Sequence, residues 1–482
     1  MRKILLVLFV FGLVLALGAP ASAVDLKISG SYYATGMFIT DPSLRAEDDR
    51  FAGGAYHSVP ADRKVASSAS FVGQRLRLQP EFKIAEGLTL TTRFDALEKK
   101  WGDSSWGRVH GYDNTNRPVD NQAATNFDTY AINGSSIRTQ ENLEWERAYV
   151  DFNTAIGRFM VGYFDCICYG TLFLNTHVSR PGVQYMYPLG PWTLGAKWEK
   201  VHEGGSYGIG GSGASLLYAD KDLDIYSIDA TYRWKTGQAG VQFQYYRDNY
   251  FDYSNGDAVG AYRTKAYTIN PFFQAAIGNL GLEGEFWYAF GDWKDYNGNQ
   301  NDIDLEAYAA YLNGKFGIGA FYVGLLGAIE SGDVDNTDDK QKGSVLGLGT
   351  GPFVMGQAWD PFLYMFNDLV NTYTGNWNGY NPAAIGTFED NCILWKAYAG
   401  WNITPKLNVE VAYGMAWADD TASNVDDSYG AEFDIFATYK IYNNLSYMVG
   451  FGYWWVGDYF KGTVDGDVED SYLLMHKLTL AF

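Results

Sequence analysis

Phe71 to Phe94 reads FVGQRLRLQPEFKIAEGLTLTTRF. From Gln74 onward, Arg75, Arg77, Gln79, Glu81 and Lys83 fall on one parity, and Leu76, Leu78, Pro80, Phe82 and Ile84 fall on the other. Successive side chains of a strand point to opposite faces, so this is a strand with one charged face and one apolar face. After the short turn Ala85-Glu86-Gly87 the alternation resumes, with Thr89, Thr91, Arg93 and Asp95 against Leu88, Leu90, Phe94 and Ala96. In a water-soluble protein the apolar face needs a second layer to cover it. The rest of the chain supplies none, because it repeats the same hairpin.

At the N-terminus, Arg2 and Lys3 precede an apolar run from Ile4 to about Leu17, and Ala21-Ser22-Ala23 is a small-x-small cleavage site. Residues 1–23 therefore read as a secretory signal peptide, with a mature chain expected from Val24 and no lipoprotein cysteine beside the cut. Residues 24–482 contain no apolar run long enough to cross a bilayer as a helix, so any crossing is made by strands. The chain holds 55 Gly, 37 Tyr, 29 Phe and 15 Trp, with only 19% charged residues. That mixture suits turn-rich strands with rings at a membrane interface and is foreign to a soluble α/β enzyme. The formal charge is −20, or −22 without Arg2 and Lys3, which excludes nucleic acid as a partner. Cys166 and Cys168 would share a strand face and are poorly placed to bridge each other, leaving Cys392 as the alternative partner. No Cys-x-x-Cys-His occurs, which argues against covalent haem, and no cofactor is expected.

Taken in order, the alternating segments are Asp25 to Phe38, the two strands of the hairpin above, Glu141 to Asn153, Ile156 to Cys166, Val183 to Tyr187 and Trp192 to Val201. Then come Asp222 to Trp234, Ala239 to Tyr250, Tyr262 to Ala276, Leu280 to Trp293, Asp302 to Lys315 and Ile318 to Ile329, the last two meeting at Phe316-Gly317. Ile393 to Ile403, Leu407 to Ala418, Tyr429 to Ile441, Leu445 to Val456 and Tyr472 to Phe482 complete a set of 18 strands, or 16 if the weak segment at Val183 is discounted. Turns alternate short and long throughout. This is the asymmetry of an all-β, transmembrane, antiparallel up-and-down barrel, with tight periplasmic turns at one rim and long extracellular loops at the other. The domain plan is a leader, 1–23, and one barrel, 24–482.

The last strand places Leu474, Leu478, Leu480 and the terminal Phe482 on one face and Lys477 and Thr479 on the other. The leader, the hairpin, the turn rhythm and YLLMHKLTLAF together resemble a bacterial outer-membrane porin. QRLR…EGLTLTTRFDALE and YPLGPWTL are similar to uncharacterised porin-like proteins of sulfate- and metal-reducing bacteria. The resemblance implies the outer membrane of a Gram-negative bacterium, contact with its lipid and lipopolysaccharide, and insertion by the barrel assembly machinery, with Phe482 as the assembly signal. A homotrimer is also expected, since Glu146 shares the parity of Ala148, Val150 and Phe152, a costly position against lipid and an acceptable one at a subunit interface.

The parities also give an inner wall. One arc is basic: Arg75, Arg77, Lys83, Arg93 and Arg147. Another is acidic: Glu283, Glu285, Asp304, Glu306, Glu410, Glu432 and Asp434. Strands distant in order stand across a closed barrel from each other, so the two arcs set up a transverse field at the narrowest level, as in general porins. The alternative is that these charges pair with neighbours on adjacent strands. The loop from Ser331 to Cys392 carries Asp360-Pro361, an N-cap followed by Pro at the first helical position, and then Phe362, Met365, Phe366, Leu369 and Val370 at helical spacing. Such a helix needs cover, by folding inward as a constriction, by resting on the rim, or by docking on a neighbour.

Asp333, Asp335, Asp338 and Asp339, and Asp465, Asp467, Glu469 and Asp470, form acidic loop clusters without the spacing of an EF-hand, and no metal site is expected. The histidines His57, His110, His177, His202 and His476 are scattered, and no nucleophile motif appears, so an enzyme is not expected. The first functional reading is a passive diffusion porin for small hydrophilic solutes and ions. The alternatives are a channel selective for sugars or organic acids, with Trp287 and Tyr308 as an inward stacking path, and a barrel sheath around an electron-transfer cytochrome.

Overall fold

The computed structural model describes residues 24–41, 44, 68–101, 111–112, 118–119, 143–166, 168–173, 178–202, 222–249, 262–295, 302–334, 339–343, 359–367, 369–370, 391–461 and 467–482. The expected signal peptide, His57, His110, His177, Asp335, Asp338 and Asp465 lie outside them. Eighteen long strands are present among the described residues. They are β1 Asp25–Thr40, β2 Ser68–Ala85, β3 Leu88–Lys100, β4 Leu143–Thr154, β5 Gly157–Asp165, β6 Ser179–Leu189, β7 Trp192–His202, β8 Leu223–Trp234 and β9 Gly237–Asp248. The second half holds β10 Tyr262–Ile277, β11 Leu280–Asp295, β12 Ile303–Ile318, β13 Phe321–Glu330, β14 Cys392–Thr404, β15 Leu407–Trp417, β16 Ser428–Tyr442, β17 Leu445–Val456 and β18 Ser471–Ala481.

Each strand pairs antiparallel with the next, and β18 returns to β1 in a ladder from Ser31↔Ala481 to Ile39↔Leu473. Beyond it, Gly30 and Phe482 exchange both backbone hydrogen bonds, at 2.8 and 3.0 Å. The sheet is closed, so no edge strand remains to be covered. The segment around Val183 is a full strand of 11 residues, which settles the count at 18 rather than 16. The turn expected at Phe316-Gly317 instead falls at Gly319-Ala320, and Gly319 has φ +61, a left-handed conformation that glycine adopts without strain.

The alternation read from the sequence has a direct structural meaning. Ile228, Val241, Ile269, Phe286, Leu312, Leu325 and Val449 stand exposed on the outside of the barrel. Inward positions at similar levels are polar and buried, among them Thr231, Gln242, Gln244, Thr268 and Asn270. Rings border the outer apolar band on both sides. Toward the long-loop end, Tyr226, Tyr245, Tyr267 and Phe290 form a chain of stacked rings with centroids 5.1 to 6.2 Å apart. Toward the short turns, Trp192 lies 4.9 Å from Tyr232 and Phe321 lies 5.3 Å from Trp401. An apolar band between aromatic girdles is the surface a bilayer solvates best. No described helix is long and apolar enough to cross a membrane, which leaves strand crossing untouched.

Candidate solute path through the barrel

The basic arc faces the lumen, but each of its central members is neutralised on the same wall. Arg77 donates to Asp95 through Nε and Nη2 at 2.7 and 2.6 Å, and to Glu146 at 2.8 Å. Arg93 donates to the other oxygen of Glu146 at 2.5 Å, and Arg147 to Asp165 at 2.8 Å. Arg75 reaches Glu98 at 3.4 Å and lies over the Tyr33 ring at 5.1 Å. Lys83 is exposed near the short turn. The same-wall pairing, rather than a field between two distant arcs, therefore describes these arginines.

Glu146 joins this network because β4 is bulged. Arg93 pairs with Arg147 and Phe94 with Trp145, so Glu146 is the extra residue between them. A bulge sets two consecutive residues against one partner, and here it turns both Glu146 and Arg147 inward while Trp145 goes out. The parity that placed Glu146 against lipid is corrected accordingly, and the argument it gave for a subunit interface falls with it.

In the acidic arc, Glu283, Glu285, Glu410, Glu432 and Asp434 face inward. Glu283 accepts from Tyr311 Oη at 2.6 Å and Gln274 Nε2 at 3.0 Å, and Glu410 accepts from Tyr322 Oη at 2.7 Å. Asp304 and Glu306 do not belong to the arc. Leu305, Ala307 and Ala309 are the buried, inward residues of β12, and Asp304, Glu306 and Tyr308 take the outward parity with Leu312. Glu306 is exposed and lies 3.7 Å from Lys340. The usual polarity is inverted at this end of β12 because the lumen there is filled by apolar side chains of the chain itself. Tyr308 is thus removed from the inward stacking path, whereas Trp287 is buried inside.

Two segments fill that space. The first, residues 168–173 between β5 and β6, crosses to the opposite wall. Tyr169 Oη donates to the Ala230 carbonyl at 3.0 Å, and the Glu285 carboxylate accepts Thr171 N at 2.7 Å and Thr171 Oγ1 at 2.5 Å. Asn270 Nδ2 and Trp287 Nε1, each at 2.9 Å, complete a cage of donors around Glu285. The second segment, residues 359–367 with 369–370, holds Phe362, Met365 and Phe366 buried, with Leu369 partly buried against them. Its backbone is pinned to β16: Asp434 accepts Leu363 N at 3.1 Å, and Glu432 accepts Tyr364 N and Met365 N, both at 2.7 Å. The two segments meet where Phe173 lies 4.9 Å from Trp359, with Tyr311 stacked 5.2 Å from Phe173.

The helix expected from Asp360 is not formed over Pro361–Phe366. These residues trace bends and a turn, Phe366 has φ +54, and among the described residues of the segment only Leu369 and Val370 are helical. The reason is visible in the hydrogen bonds. Three successive N–H groups that a helix would give to its own carbonyls, or leave free in its first turn, are taken by carboxylates of the barrel wall. The apolar spacing serves burial inside the lumen instead, and Lys396 lies 6.0 Å over the Phe362 ring.

No disulfide joins Cys166, Cys168 and Cys392, so the Cys392 pairing is not made. His476 lies on the outer face of β18, with its ring 5.9 Å from Tyr447. Of the acidic loop clusters, Asp333 accepts Lys342 N at 2.7 Å, and Asp470 accepts Val456 N at 3.2 Å and Tyr453 Oη at 3.0 Å, as loop ties.

No protein-family model and no curated protein sequence matches the chain. Among solved structures, the chain is similar to Pseudomonas aeruginosa OpdK with vanillate, at 12% identity and a TM-score of 0.48 over 95% of this chain and 98% of that one. It is similar to Pseudomonas aeruginosa OpdQ at 13% identity, TM-score 0.49, over 95% and 98% of the two chains. Acinetobacter baumannii OccAB1 matches at 11% identity, TM-score 0.48, over 96% and 99%.

Three features of the path were missed in the sequence. The segment 168–173 lies between the expected strands Ile156 to Cys166 and Val183 to Tyr187 and carries no expectation of its own, although its composition, CYGTLF, lacks the Asn, Asp and Lys of the external loops. The bulge was signalled only by the adjacent charges Glu146-Arg147, which break the alternation. Buried Lys197 and Glu199 of β7, 2.7 Å apart, with Arg180 of β6 at 3.3 Å from Glu199, extend the paired wall beyond Arg147 and share one parity in KWEK.

Proposed function

We propose that the chain is a porin of a Gram-negative outer membrane, through which small hydrophilic solutes and ions diffuse passively along a lumen narrowed by residues 168–173, 359–367 and 369–370. The observation that carries this reading is a closed barrel that is apolar outside and lined inside by hydrogen-bonded polar and charged groups, an arrangement that is stable only with lipid outside and water within. Arg75, Arg77, Arg93 and Arg147, with their carboxylates, would line one side of the path. Glu283, Glu285 and Glu410 would line the other, and Glu432 and Asp434 would hold the constriction in place.

Residues 1–23 would direct export, the β18 strand ending in Phe482 would be read by the barrel assembly machinery, and the long loops would meet lipopolysaccharide. The finer likeness to porin-like proteins of sulfate- and metal-reducing bacteria and a homotrimeric state belong to the same proposal, the trimer now without support from Glu146. The cytochrome sheath is disfavoured, because the chain's own segments occupy the space a partner would need.

Reconstitution of the purified mature chain into planar bilayers tests the reading. Stepwise currents, with permeation of small sugars into liposomes, are expected. A chain that inserts and passes neither ions nor sugars contradicts it.

A further inference from the structure

Toward the short-turn rim from residues 168–173, the wall of β8 to β12 carries an open recess of about 530 Å³. That volume lies within the ~300–1,000 Å³ typical of small-molecule sites. One level of inward side chains forms its back: Gln238, Gln274, Glu283 and Asn313. The next inward level on the same strands carries Phe272, Glu285 and Tyr311, which hold the inserted segments. The recess therefore abuts the constriction.

Three of these side chains are hydrogen-bonded in a row, and Asn313 stands opposite Glu283 on the next strand. Gln238 Nε2 donates to Gln274 Oε1 at 2.7 Å, and Gln274 Nε2 donates to Glu283 Oε2 at 3.0 Å. Tyr311 Oη donates to Glu283 Oε1 at 2.6 Å, and Tyr398 Oη donates to Asn313 Oδ1 at 2.9 Å. A primary amide offers two donors and two acceptor lone pairs. The contacts above use only part of that capacity, and all four residues are half-exposed to the recess. The charges are more committed. Glu283 takes two donors, Lys315 lies 3.7 Å over the Tyr322 ring, and Arg233 at the edge donates to Thr193 at 2.8 Å.

We propose that this recess is a docking site for a neutral polyhydroxylated solute of mono- or disaccharide size. The inference rests on the porin reading and names the substrate class for it. Amides that donate and accept within one fixed row match vicinal hydroxyls, each of which also donates and accepts. A carboxylate engaged by a phenol and an amide still accepts from a sugar hydroxyl.

The test uses the full mature chain in a detergent free of sugar, with maltose as the neutral probe and gluconate as the anionic one. Maltose is expected to block the ion current saturably and to bind by calorimetry, with gluconate weaker in both. Combining Gln238→Leu with Gln274→Leu should weaken maltose about tenfold, the loss of one or two neutral hydrogen bonds, in a channel that still passes stepwise currents. Gln274→Asn, which keeps an amide, should recover part of it. A conducting channel that ignores maltose, an unchanged block in the double variant, or stronger binding of gluconate overturns the proposal and leaves the porin reading standing. A chain without conductance overturns the porin reading, and calorimetric maltose binding then decides the recess by itself.

Discussion

Glu432, on the inner wall of β16, accepts the backbone N–H of Met365, in the inserted segment, at 2.7 Å. Its second oxygen takes Tyr364 N at the same distance, and its side chain is fully buried. One carboxylate thus replaces the helical partners of two successive N–H groups and fixes the position of Phe362 and Phe366 in the lumen. In Glu432→Ala, two buried N–H groups lose their acceptor, at a cost of about 1–3 kcal/mol each. The segment should detach locally while the barrel stays closed. Single-channel conductance is expected to rise and to become noisier, with the detergent melting temperature of the barrel little changed.

Glu285 plays the corresponding part for the segment 168–173. Thr171→Val removes the hydroxyl donor and keeps the shape of the side chain, leaving one oxygen of Glu285 with the Thr171 N–H alone. A loss of about 1–3 kcal/mol in local stability is expected. Faster hydrogen exchange at Thr171 and Phe173, with β11 unaffected, is the readout. Unchanged exchange would remove Glu285 from the anchoring role.

The arginine wall makes a signed prediction about ion preference. Because Arg77 and Arg93 share Glu146, replacing both by Gln leaves Glu146 uncompensated and Asp95 with Arg75 alone, at 3.8 Å. Reversal potentials under a salt gradient should move toward cation selectivity. Glu146→Gln should move them the opposite way, toward anions. If neither variant moves the potential, this wall lies off the conducting path.

Much of this was legible in the chain. Alternation in QRLRLQPEF and its repeats located the strands, because a strand between lipid and water has no other way to be written. The closing strand was marked by Leu474, Leu478, Leu480 and Phe482 for the same reason. Where the surroundings are not simply lipid on one side and water on the other, the pattern misled. Asp304 and Glu306 looked inward because the polar face was assumed to be the wet one, whereas that level of the lumen is packed with Phe173, Trp359 and Phe362. Glu146 was misplaced because one extra residue reverses parity, and nothing local announces it except a pair of adjacent charges. The helix expected at Asp360 rests on a local cap, a Pro and apolar spacing, whereas the partners its N–H groups find, Glu432 and Asp434, are more than 65 residues away in sequence.

The outer band gives a stability prediction that is independent of transport. Ile228 sits midway along β8 and is exposed outward. Ile228→Arg should destabilise the bilayer-inserted barrel by about 2–4 kcal/mol, as a cation at the midplane of a barrel does. Urea unfolding in lipid vesicles measures it. A substitution as neutral as one in an external loop would mean that this face does not meet hydrocarbon.

Comparison of single-channel conductance in planar bilayers between the mature chain and the same chain lacking Asp360 to Tyr373 bears on everything above. Stepwise currents from both, several-fold larger in the shortened chain, are the expected result. No current from either, or equal current from both, would contradict a wet lumen narrowed by its own inserted chain.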